Sequence, residues 1–309
     1  MNHSPTVAII ILNFNKRHDV LEAIGSAQAS DYPLTNVFVV DNASTDGSWE
    51  SIEAVYPELP KIRMPSNIGA PGGRNAGWRF VQEILQPDYI LFLDDDATLA
   101  PNAISRFVDA TLADSATGIA CGKGYTRHPS TILNSIGIRV NLYTGIIEDI
   151  GAGEEDRGQY DQPCYVAACG CFGLFIKASL FEQLGGFNEA FNPYGWEDVD
   201  LCLRARRLGY NTRYVPAAII HHKGTKLGRK PLPLYEQTKA RNYLYLIREH
   251  ASWLQLASIG LCLPFRALAL MIKLVRQGDK KILLSHARGF WCAFFMPKEP
   301  MTKNNQETK

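Results

Sequence analysis

The chain has 309 residues, of which 46% are hydrophobic and 20% are charged, as is typical of a soluble globular protein. This composition excludes disorder for most of the chain, and a net charge of +1 argues against a protein that works mainly by binding nucleic acid. The seven cysteines show no repeated spacing, so we predict reduced thiols and a cytoplasmic location. The first residues are polar and predict no signal peptide.

Strand and helix patterns alternate through the first third of the chain. Apolar runs rich in β-branched residues are typical of parallel strands that helices cover on both faces. We therefore predict an open α/β sheet that binds ligands at the carboxyl ends of its strands. The predicted strands are residues 7–12, 37–40, 61–64 and 89–93, and the predicted helices are residues 20–29, 48–55 and 71–85.

The pattern changes from about residue 121, where shorter strand-like pieces mix with turns. An acidic, glycine-rich loop is predicted at 148–156, and the polar tail from residue 298 is predicted to be disordered. Residues 251–295 are apolar with interspersed Lys and Arg. The further predicted strands are 136–140, 165–168, 174–177 and 211–215, and the further predicted helices are 197–208 and 236–249.

Asp94, Asp95 and Asp96 directly follow the predicted strand at 89–93. Three adjacent carboxylates repel one another, and a site that gathers them generally holds a cation that offsets their charge. Mg²⁺ and Mn²⁺ prefer oxygen ligands of this kind, so we favour a metal site. The alternative is a solvated turn leading into a helix, with an aspartate as its N-cap.

Two further polar clusters follow predicted strands. Residues 41–47 are suited to bind a nucleobase and a ribose through hydrogen bonds, although they also fit a turn that caps the helix from Ser48. Residues 67–77 combine a glycine-rich turn with a helix start, which is suited to bind phosphate. This second cluster lacks the dinucleotide-binding fingerprint, so it is a weak motif by itself.

Acidic residues open the predicted helix at 197–208. The helix dipole favours such residues at this end in any protein, and Asp200 can pair with Arg204 one turn later. The functional hypothesis is that Asp198, or its neighbour Glu197, acts as a general base. His221 and His222 are adjacent residues near a predicted strand, so only one of them can face a given site.

Together these clusters resemble family 2 glycosyltransferases with the GT-A fold, especially their rhamnosyltransferase-like branch. Each matching block is weakly specific alone, but their order and spacing are highly specific together. The resemblance runs from about residue 7 to residue 248. The matching blocks are residues 10–15, 40–47, 67–69, 73–77, 93–96, 185–187, 196–201, 222 with 224, and 241–242.

The resemblance implies an α/β fold of the GT-A type, a Rossmann-like and mostly parallel open sheet with flanking helices and here a C-terminal helical extension. It implies a catalytic domain at 1–250, with a nucleotide-sugar half at about 1–120 and an acceptor and base half at about 121–250. The apolar-basic extension then covers 251–297, and the tail covers 298–309.

The resemblance also implies roles by position. Asp198 falls on the catalytic base, next to Glu197, and Asp96 with His222 would hold Mg²⁺ or Mn²⁺. Within the donor site, Asp41 would contact the nucleobase and Arg74 would lie near the diphosphate. The implied nucleotide-sugar-binding residues are Asn13, Asn15, Asp41, Ser44, Asp46, Asn67, Gly69, Arg74, Asn75, Asp94 and Asp95.

Two departures from the family pattern leave the donor open. Asn13 stands where Tyr or Thr often precedes Asn, and Pro71 with Gly72 replaces the more usual small residues. The implied reaction inverts the anomeric configuration as a sugar passes from a nucleotide-diphosphate donor, dTDP-rhamnose or a UDP-sugar, to a hydroxyl group. The implied acceptor is a glycan or a lipid-linked glycan in cell-surface polysaccharide synthesis.

Two rival functions remain as alternatives. A sugar nucleotidyltransferase would need a glycine-rich phosphate loop with Lys or Arg directly after the first strand, where this chain has Asn13, Phe14 and Asn15. A non-catalytic, membrane-associated nucleotide-sugar-binding protein would explain the C-terminal region. It would not explain why the aspartates, Asp198 and His222 occur together.

Residues 251–295 predict contact with a membrane surface. A spanning helix needs about 20 apolar residues, but Arg266 interrupts this stretch and Pro264 lies within it. We therefore predict a peripheral protein on the cytoplasmic face of a bacterial inner membrane; the alternatives are a packed helical cap or a homo-oligomer interface. Trp253, Phe265, Trp291 and Phe294 would enter the headgroup boundary, and Arg266, Lys273, Arg276, Lys280, Lys281 and Arg288 would meet anionic lipid.

Overall fold

One mixed sheet of ten strands organises the chain. It is seen in a computed structural model that describes residues 4–126, 131–224, 232–276, 280–293 and 295–296. The first part of the chain confirms the predicted strands and helices to within three residues at each end. These elements are β1 (Val7–Asn13), α1 (Arg17–Gln28), β2 (Thr35–Asp41), α2 (Ser48–Val55), β3 (Lys61–Arg63), α3 (Gly69–Ile84) and β4 (Tyr89–Asp94).

The second part of the chain contains more regular structure than its sequence pattern predicts. The strands are β5 (Ala97–Leu99), β6 (Thr117–Thr126), β7 (Leu133–Ser135), β8 (Ile138–Asn141), β9 (Ile146–Asp149), β10 (Cys164–Val166), β11 (Leu174–Lys177) and β12 (Asn211–His222). The helices are α4 (Ala103–Leu112), α5 (Ala178–Gln183), α6 (Glu197–Arg207), α7 (Pro233–His250), α8 (Trp253–Arg276) and α9 (Lys280–Ala293).

The strand order joins the two parts of the chain in one sheet. The order is β10-β12-β6-β11-β4-β1-β2-β3, in which β11 is antiparallel to both β4 and β6. Two antiparallel steps restore the strand direction, so β6 and β12 end at the same edge as β1, β2 and β4. The predicted division near residue 120 falls inside β6, and the mostly parallel α/β sheet is confirmed.

Two predicted strands need correction. The strand predicted at 136–140 is broken, because Gly137 adopts a φ of 141° and turns the chain between β7 in the main sheet and β8 in a separate two-stranded sheet. The strand predicted at 211–215 continues to His222, because a register shift between Val215 and Ile219 accommodates Pro216. The predicted loop at 148–156 begins inside β9, which ends at Asp149.

Glycines let α3 lie unusually close to the sheet. A Cβ on Gly77 would stand 2.7 Å from Ile10 Cγ2 and 2.9 Å from Val40 Cγ2, and a Cβ on Gly73 would stand 2.5 Å from Leu12 Cδ1. The helix backbone therefore packs directly on the side chains of β1 and β2. This close approach brings the side chains of α3 to the edge where those strands end.

The C-terminal helices differ in how they pack. Ile282, Ser285 and Ala293 on α9 are buried, and a Cβ on Gly289 would stand 2.9 Å from Ala240 Cβ on α7. Helix α8 instead exposes many apolar side chains. None of the described helices has the length and apolar character needed to cross a membrane.

Parts of the sequence prediction lie outside the described residues. These are Phe294, the side chains of Arg266, Lys273 and Lys280, and the predicted disordered tail.

We expect Gly77→Ala to lower the free energy of unfolding by about 1–3 kcal/mol, because the added methyl group overpacks the contact between α3 and the sheet. Gly260→Ala is the matched control, since Gly260 is also helical but has no atom within 4 Å of an added Cβ. That control should be neutral or stabilising by up to about 1 kcal/mol. Urea unfolding measures the free energy of unfolding of both variants. Equal changes in the two would contradict the close contact of α3 with β1 and β2.

Candidate functional site

Three potential metal ligands meet at the edge where β4 and β12 end. His222 Nε2 lies 3.1 Å from Asp96 Oδ1 and 3.8 Å from Asp94 Oδ2, and one ligand atom from each residue lies within 4.8 Å of the others. The structure thus brings together the predicted pair, Asp96 and His222, and adds Asp94 to it. The turn after Asp94 leads into β5, so the alternative of a helix-capping turn is wrong here.

The His222 ring is held from two sides. Its Nδ1 lies 3.0 Å from Asn134 Nδ2, and its face stacks on Phe172 with ring centroids 5.0 Å apart. Exchange of the Asn134 amide nitrogen and oxygen by a flip would let Nδ1 donate and would leave the Nε2 lone pair for a metal. His221 faces the other way and stacks on Tyr125, as strand alternation predicts.

The residues around this cluster fit a divalent cation. A Cβ on Gly224 would stand 2.7 Å from Asp96 Oδ2 and 2.9 Å from His222 Nε2, so glycine leaves space beside both ligand atoms. Two carboxylates and an imidazole suit Mn²⁺, and carboxylates with water suit Mg²⁺. The cluster therefore has both the donor atoms and the room for such an ion.

Repulsion among the three aspartates is visible in their protonation. Burial, together with the charges of Asp94 and Asp96, raises the pKa of Asp95 to about 8, although Asp95 accepts a hydrogen bond from Phe14 N at 2.9 Å. Burial alone would also raise the pKa of Asp96, but His222 and Lys16 hold it well below its usual value. Burial and the neighbouring charges therefore favour the protonated form of Asp95.

Lys16 was not predicted as a site residue. Its Nζ lies 2.7 Å from Asp96 Oδ2, and its side chain is 41% exposed whereas that of Asp96 is 7% exposed. The only sequence signal was a lysine shortly after the first strand. A nucleotidyltransferase would need Lys or Arg directly after the first strand. Lys16 instead follows the end of β1 by three residues, so it did not meet that criterion.

Asn13, Asp41 and Ser44 form a second cluster at the ends of β1 and β2. Asn13 Nδ2 donates to Asp41 Oδ1 at 2.8 Å and to Ser44 Oγ at 3.0 Å, and the Asp41 side chain is fully buried. Asn15 joins the cluster by donating its N–H to Ser44 Oγ. Asn13 Oδ1 is buried without a hydrogen-bond partner among the described residues.

Asp46 lies at the rim of this cluster and acts as a capping residue. Its carboxylate accepts from Ser48 N and from Arg17 N, both at 3.0 Å. The sequence allowed either a ligand-binding loop or a helix-capping turn at 41–47. The structure contains the capping turn at Asp46 while it gathers Asp41 and Ser44 with Asn13.

Asn67 and Gly69 shape the turn that precedes α3. Asn67 Oδ1 accepts from Gly69 N at 2.9 Å and from Asn42 Nδ2 at 3.0 Å. Gly69 has a φ of 81°, and a Cβ there would stand 2.9 Å from Pro193 Cα, in the turn that follows the cis Asn192–Pro193 bond. The need for glycine at this position therefore comes from a close backbone approach.

Arg74 connects the metal cluster to α6. Its buried guanidinium donates to Asp94 Oδ1 at 2.8 Å and to Glu197 Oε1 at 3.0 Å. Asn75 does not join the site: its amide bonds the backbone of Phe187 and the carboxylate of Glu189. One residue along a helix turns a side chain by about 100°, which explains why these neighbours face different ways.

The two candidate bases at the start of α6 have different surroundings. Glu197 is buried and paired with Arg74, and its Oε2 has no hydrogen-bond partner among the described residues. Asp198 is half-buried and accepts a hydrogen bond from Val199 N at 2.8 Å. The predicted pair of Asp200 and Arg204 is confirmed at 2.7 Å, and His250 also contacts Asp200.

A cavity of about 550 Å³ is lined by Asp94, Asp198 and His222 together. Part of its wall is aromatic, with Tyr194 stacked on Tyr235 at 5.1 Å between ring centroids. No local sequence pattern marks this aromatic wall, because its residues come from α7 and from the turn before α6. It also contains Trp196 and Lys239, whose Nζ lies 4.9 Å from the Trp196 ring and 5.3 Å from the Tyr235 ring.

Two family models match the chain. The model described as glycosyl transferase family 2 matches residues 8–180, and one described as the N-terminal domain of galactosyltransferase matches residues 160–226. The chain is also 26% identical over 247 residues to an N-acetylglucosaminyl-diphospho-decaprenol L-rhamnosyltransferase of Mycobacterium tuberculosis. That alignment covers 73% of this chain and 78% of the relative.

Two solved structures resemble the fold. GalNAc-T7 with UDP, GalNAc and Mn²⁺ matches with a TM-score of 0.62 at 14% identity, over 81% of this chain and 48% of that one, so this match spans about half of that chain. The mannosyltransferase PcManGT from Pyrobaculum calidifontis, in complex with GDP-Man and Mn²⁺, matches with a TM-score of 0.55 at 18% identity. This match covers 96% of this chain and 77% of that one. At these identities the likeness shows the GT-A fold alone.

We expect Asp96→Asn and His222→Asn each to weaken Mn²⁺ binding at least about 10-fold, the size of effect seen even for residues that only support a metal ligand. His221→Asn is the control, because that ring faces Tyr125. Titration of Mn²⁺ followed by electron paramagnetic resonance measures all three. If His221→Asn weakens Mn²⁺ binding equally, or if Asp96→Asn and His222→Asn do not weaken it, this cluster is not the metal site.

Proposed function

The chain belongs to glycosyl transferase family 2 and is similar to its rhamnosyltransferase-like members. On this premise we propose that it is an inverting, metal-dependent enzyme that moves a sugar from a nucleotide-diphosphate donor to a hydroxyl of a glycan or lipid-linked acceptor. The observation that carries the proposal is that Asp198 lines the same cavity as Asp94 and His222. A proton acceptor thus lies in the same space as the proposed donor site.

The donor is proposed to lie along the edge where the parallel strands end. Asn13, Asp41 and Ser44 supply a buried polar cluster for the nucleoside, and the orphaned Asn13 Oδ1 can accept a hydrogen bond there. Asp94, Asp96 and His222 would hold the divalent cation. When bound, Mg²⁺ or Mn²⁺ supplies positive charge that stabilises the departing diphosphate.

Asp198 is the proposed base, in preference to Glu197. Both residues line the cavity, but Glu197 is buried and paired with Arg74, whereas Asp198 is half-buried. Asp198 would take the proton from the acceptor hydroxyl as the oxygen of that hydroxyl bonds to the anomeric carbon. The bond from that carbon to the diphosphate oxygen breaks in the same displacement, so the anomeric configuration inverts.

The acceptor is proposed to bind against the aromatic wall of the cavity. Tyr194, Trp196 and Tyr235 offer flat apolar faces, and Lys239 offers a cation above two of these rings. The mycobacterial relative is named for a diphosphate-linked acceptor and for rhamnose transfer. We therefore propose a glycan or lipid-linked acceptor and, as the first donors to test, dTDP-rhamnose and UDP-sugars.

Two other functions would give different results in the same assays. A sugar nucleotidyltransferase would form a nucleotide-sugar from a sugar phosphate and a nucleoside triphosphate and would release pyrophosphate. A non-catalytic protein would bind nucleotide-sugars in calorimetry but would form no product. A donor screen that detects transfer to a hydroxyl supports glycosyl transfer against both.

We expect Asp198→Asn to lower turnover by about 10²–10⁴-fold, the usual share of a general base, and to leave donor affinity and unfolding temperature nearly unchanged. Glu197→Gln is the neighbouring comparison and should lower the unfolding temperature, because it removes a charge from the buried pair with Arg74. Calorimetry with the donor and Mn²⁺, steady-state kinetics and thermal unfolding measure these effects. If Asp198→Asn keeps near-normal turnover and a stable Glu197→Gln has none, the base is Glu197 and not Asp198.

We also propose that α8 and α9 dock on an anionic membrane surface. Leu254, Leu261, Phe265, Leu268 and Ile272 are exposed and fall within roughly 60° of one another on α8, at 100° per residue. These five residues form the α8 stripe. Such a continuous apolar face is rare on a soluble surface unless something covers it.

Helix α9 carries a second exposed face opposite its buried one. Leu284 and Trp291 are seven residues apart on this face, and Lys281 and Arg288 are exposed beside them. The sequences of α8 and α9 contain no acidic residue but include exposed Arg276, Lys281 and Arg288. Apolar faces flanked only by basic residues complement anionic lipid better than a second copy of the same basic surface.

We expect the full-length protein to float with vesicles that contain phosphatidylglycerol, and to be released as salt screens the basic residues. Phe265→Ser with Trp291→Ser should reduce flotation. Leu112→Ser is the control, because Leu112 is an exposed leucine on α4. Removing the helices would be a poorer test, since α9 covers part of α7. If the protein fails to float with these vesicles at low salt and is a dimer in light scattering, the exposed faces are an interface between copies instead.

A further inference from the structure

Lys16 occupies the carboxylate that is proposed to hold the cation. Its Nζ lies 2.7 Å from Asp96 Oδ2, and Asp96 Oδ1 lies 3.1 Å from His222 Nε2. Lys16 lies between β1 and α1 and reaches Asp96 from the solvent side, with its side chain 41% exposed. In this arrangement a lysine supplies positive charge to the aspartate cluster.

A divalent cation and Lys16 would compete for the negative charge of Asp96. Their like charges repel, and the repulsion is strong where the carboxylate is screened from water. A lysine ammonium is a compact charge on a flexible four-carbon stem, so it can leave one anion for another without moving the backbone. Occupation by a cation would therefore weaken the ion pair between Lys16 and Asp96 and favour release of the ammonium.

The neighbouring carboxylates already have partners. Asp19 accepts from Lys223 Nζ at 2.6 Å, and Asp95 Oδ2 accepts from Phe14 N at 2.9 Å. An expelled Lys16 ammonium would be most stable beside a new anion at the same edge of the sheet. The diphosphate of a nucleotide-sugar, bound beside Asp94 and Asp96, would bring that anion.

We propose that Lys16 exchanges with the divalent cation on Asp96 and then binds the diphosphate of the donor. Without the cation, Lys16 neutralises Asp96 and keeps the aspartate cluster folded. With cation and donor present, the same ammonium pairs with a phosphate oxygen. This inference rests on the proposed function, since it names a residue that holds the donor.

The exchange gives Lys16→Met opposite effects on two ligands. Loss of the competitor should tighten Mn²⁺ binding in the absence of nucleotide by roughly 1.5- to 5-fold, the range for a partly exposed ion pair. Loss of the phosphate contact should weaken UDP or dTDP binding in the presence of Mn²⁺ by at least about 10-fold. A lysine with only a structural role would weaken both ligands or affect neither.

The direct test is acetylation of the full-length protein, with the modification of each lysine measured by mass spectrometry. Lys16 should react slowly in the protein alone, faster with Mn²⁺, and slowly again with Mn²⁺ and either UDP or dTDP. Lys177 is the internal control, because its Nζ donates to Ser115 O at 3.0 Å, away from the metal cluster. Its reactivity should stay constant in all three states.

The outcomes separate this inference from the proposed function. If Mn²⁺ binds by paramagnetic resonance but Lys16 reactivity stays constant, or if neither nucleotide protects Lys16, the exchange is wrong and metal-dependent transfer can still hold. If Lys16 responds in all three states but no donor is turned over, the exchange stands and the proposed function fails. If Mn²⁺ binds neither the unaltered protein nor Lys16→Met, both are overturned.

Discussion

The buried bridge from Arg74 to Asp94 and Glu197 holds the site together. Arg74 contacts Asp94 at the end of β4 at 2.8 Å and Glu197 at the start of α6 at 3.0 Å. Arg74 and Glu197 are 123 positions apart in the sequence. Removing one partner of such a buried ion pair typically costs about 3–5 kcal/mol, because a charge is left uncompensated. The spacing between the metal cluster and Asp198 therefore depends on one guanidinium, whose approach depends on the glycine-mediated contact of α3 with the sheet.

The remaining charges form two sets around that bridge. On the proposed donor side, Lys16 and His222 offset the charge of Asp96, and burial together with the neighbouring carboxylates raises the pKa of Asp95. On the acceptor side, Lys239 lies over aromatic rings rather than beside a carboxylate in the described part of the chain. Each side thus presents a lysine that an anionic group of a substrate could recruit.

Helix α7 has two different faces, and this explains the C-terminal region. One face lines the cavity through Tyr235 and Lys239, and the other receives α9 through the close contact at Gly289. The sequence left membrane contact and a packed helical cap as alternatives; α9 packs on α7 as a cap would, while α8 exposes apolar side chains. A surface that contacts a membrane through α8 and α9 would hold the cavity near lipid-linked acceptors.

The alternation of strands and helices, the polar clusters at strand ends and the family could be predicted because they depend on contiguous residues. Asp94, Asp96 and His222 meet because open sheets align the ends of their strands, and Asp198 reaches the same cavity from the start of α6. Other features were decided only by tertiary packing: that Glu197 is buried against Arg74 while Asp198 stays half-buried, that Asn75 turns away, and that Lys16 reaches Asp96. Each of these depends on which side of an element meets a partner distant in sequence, and no local pattern of residues encodes that choice.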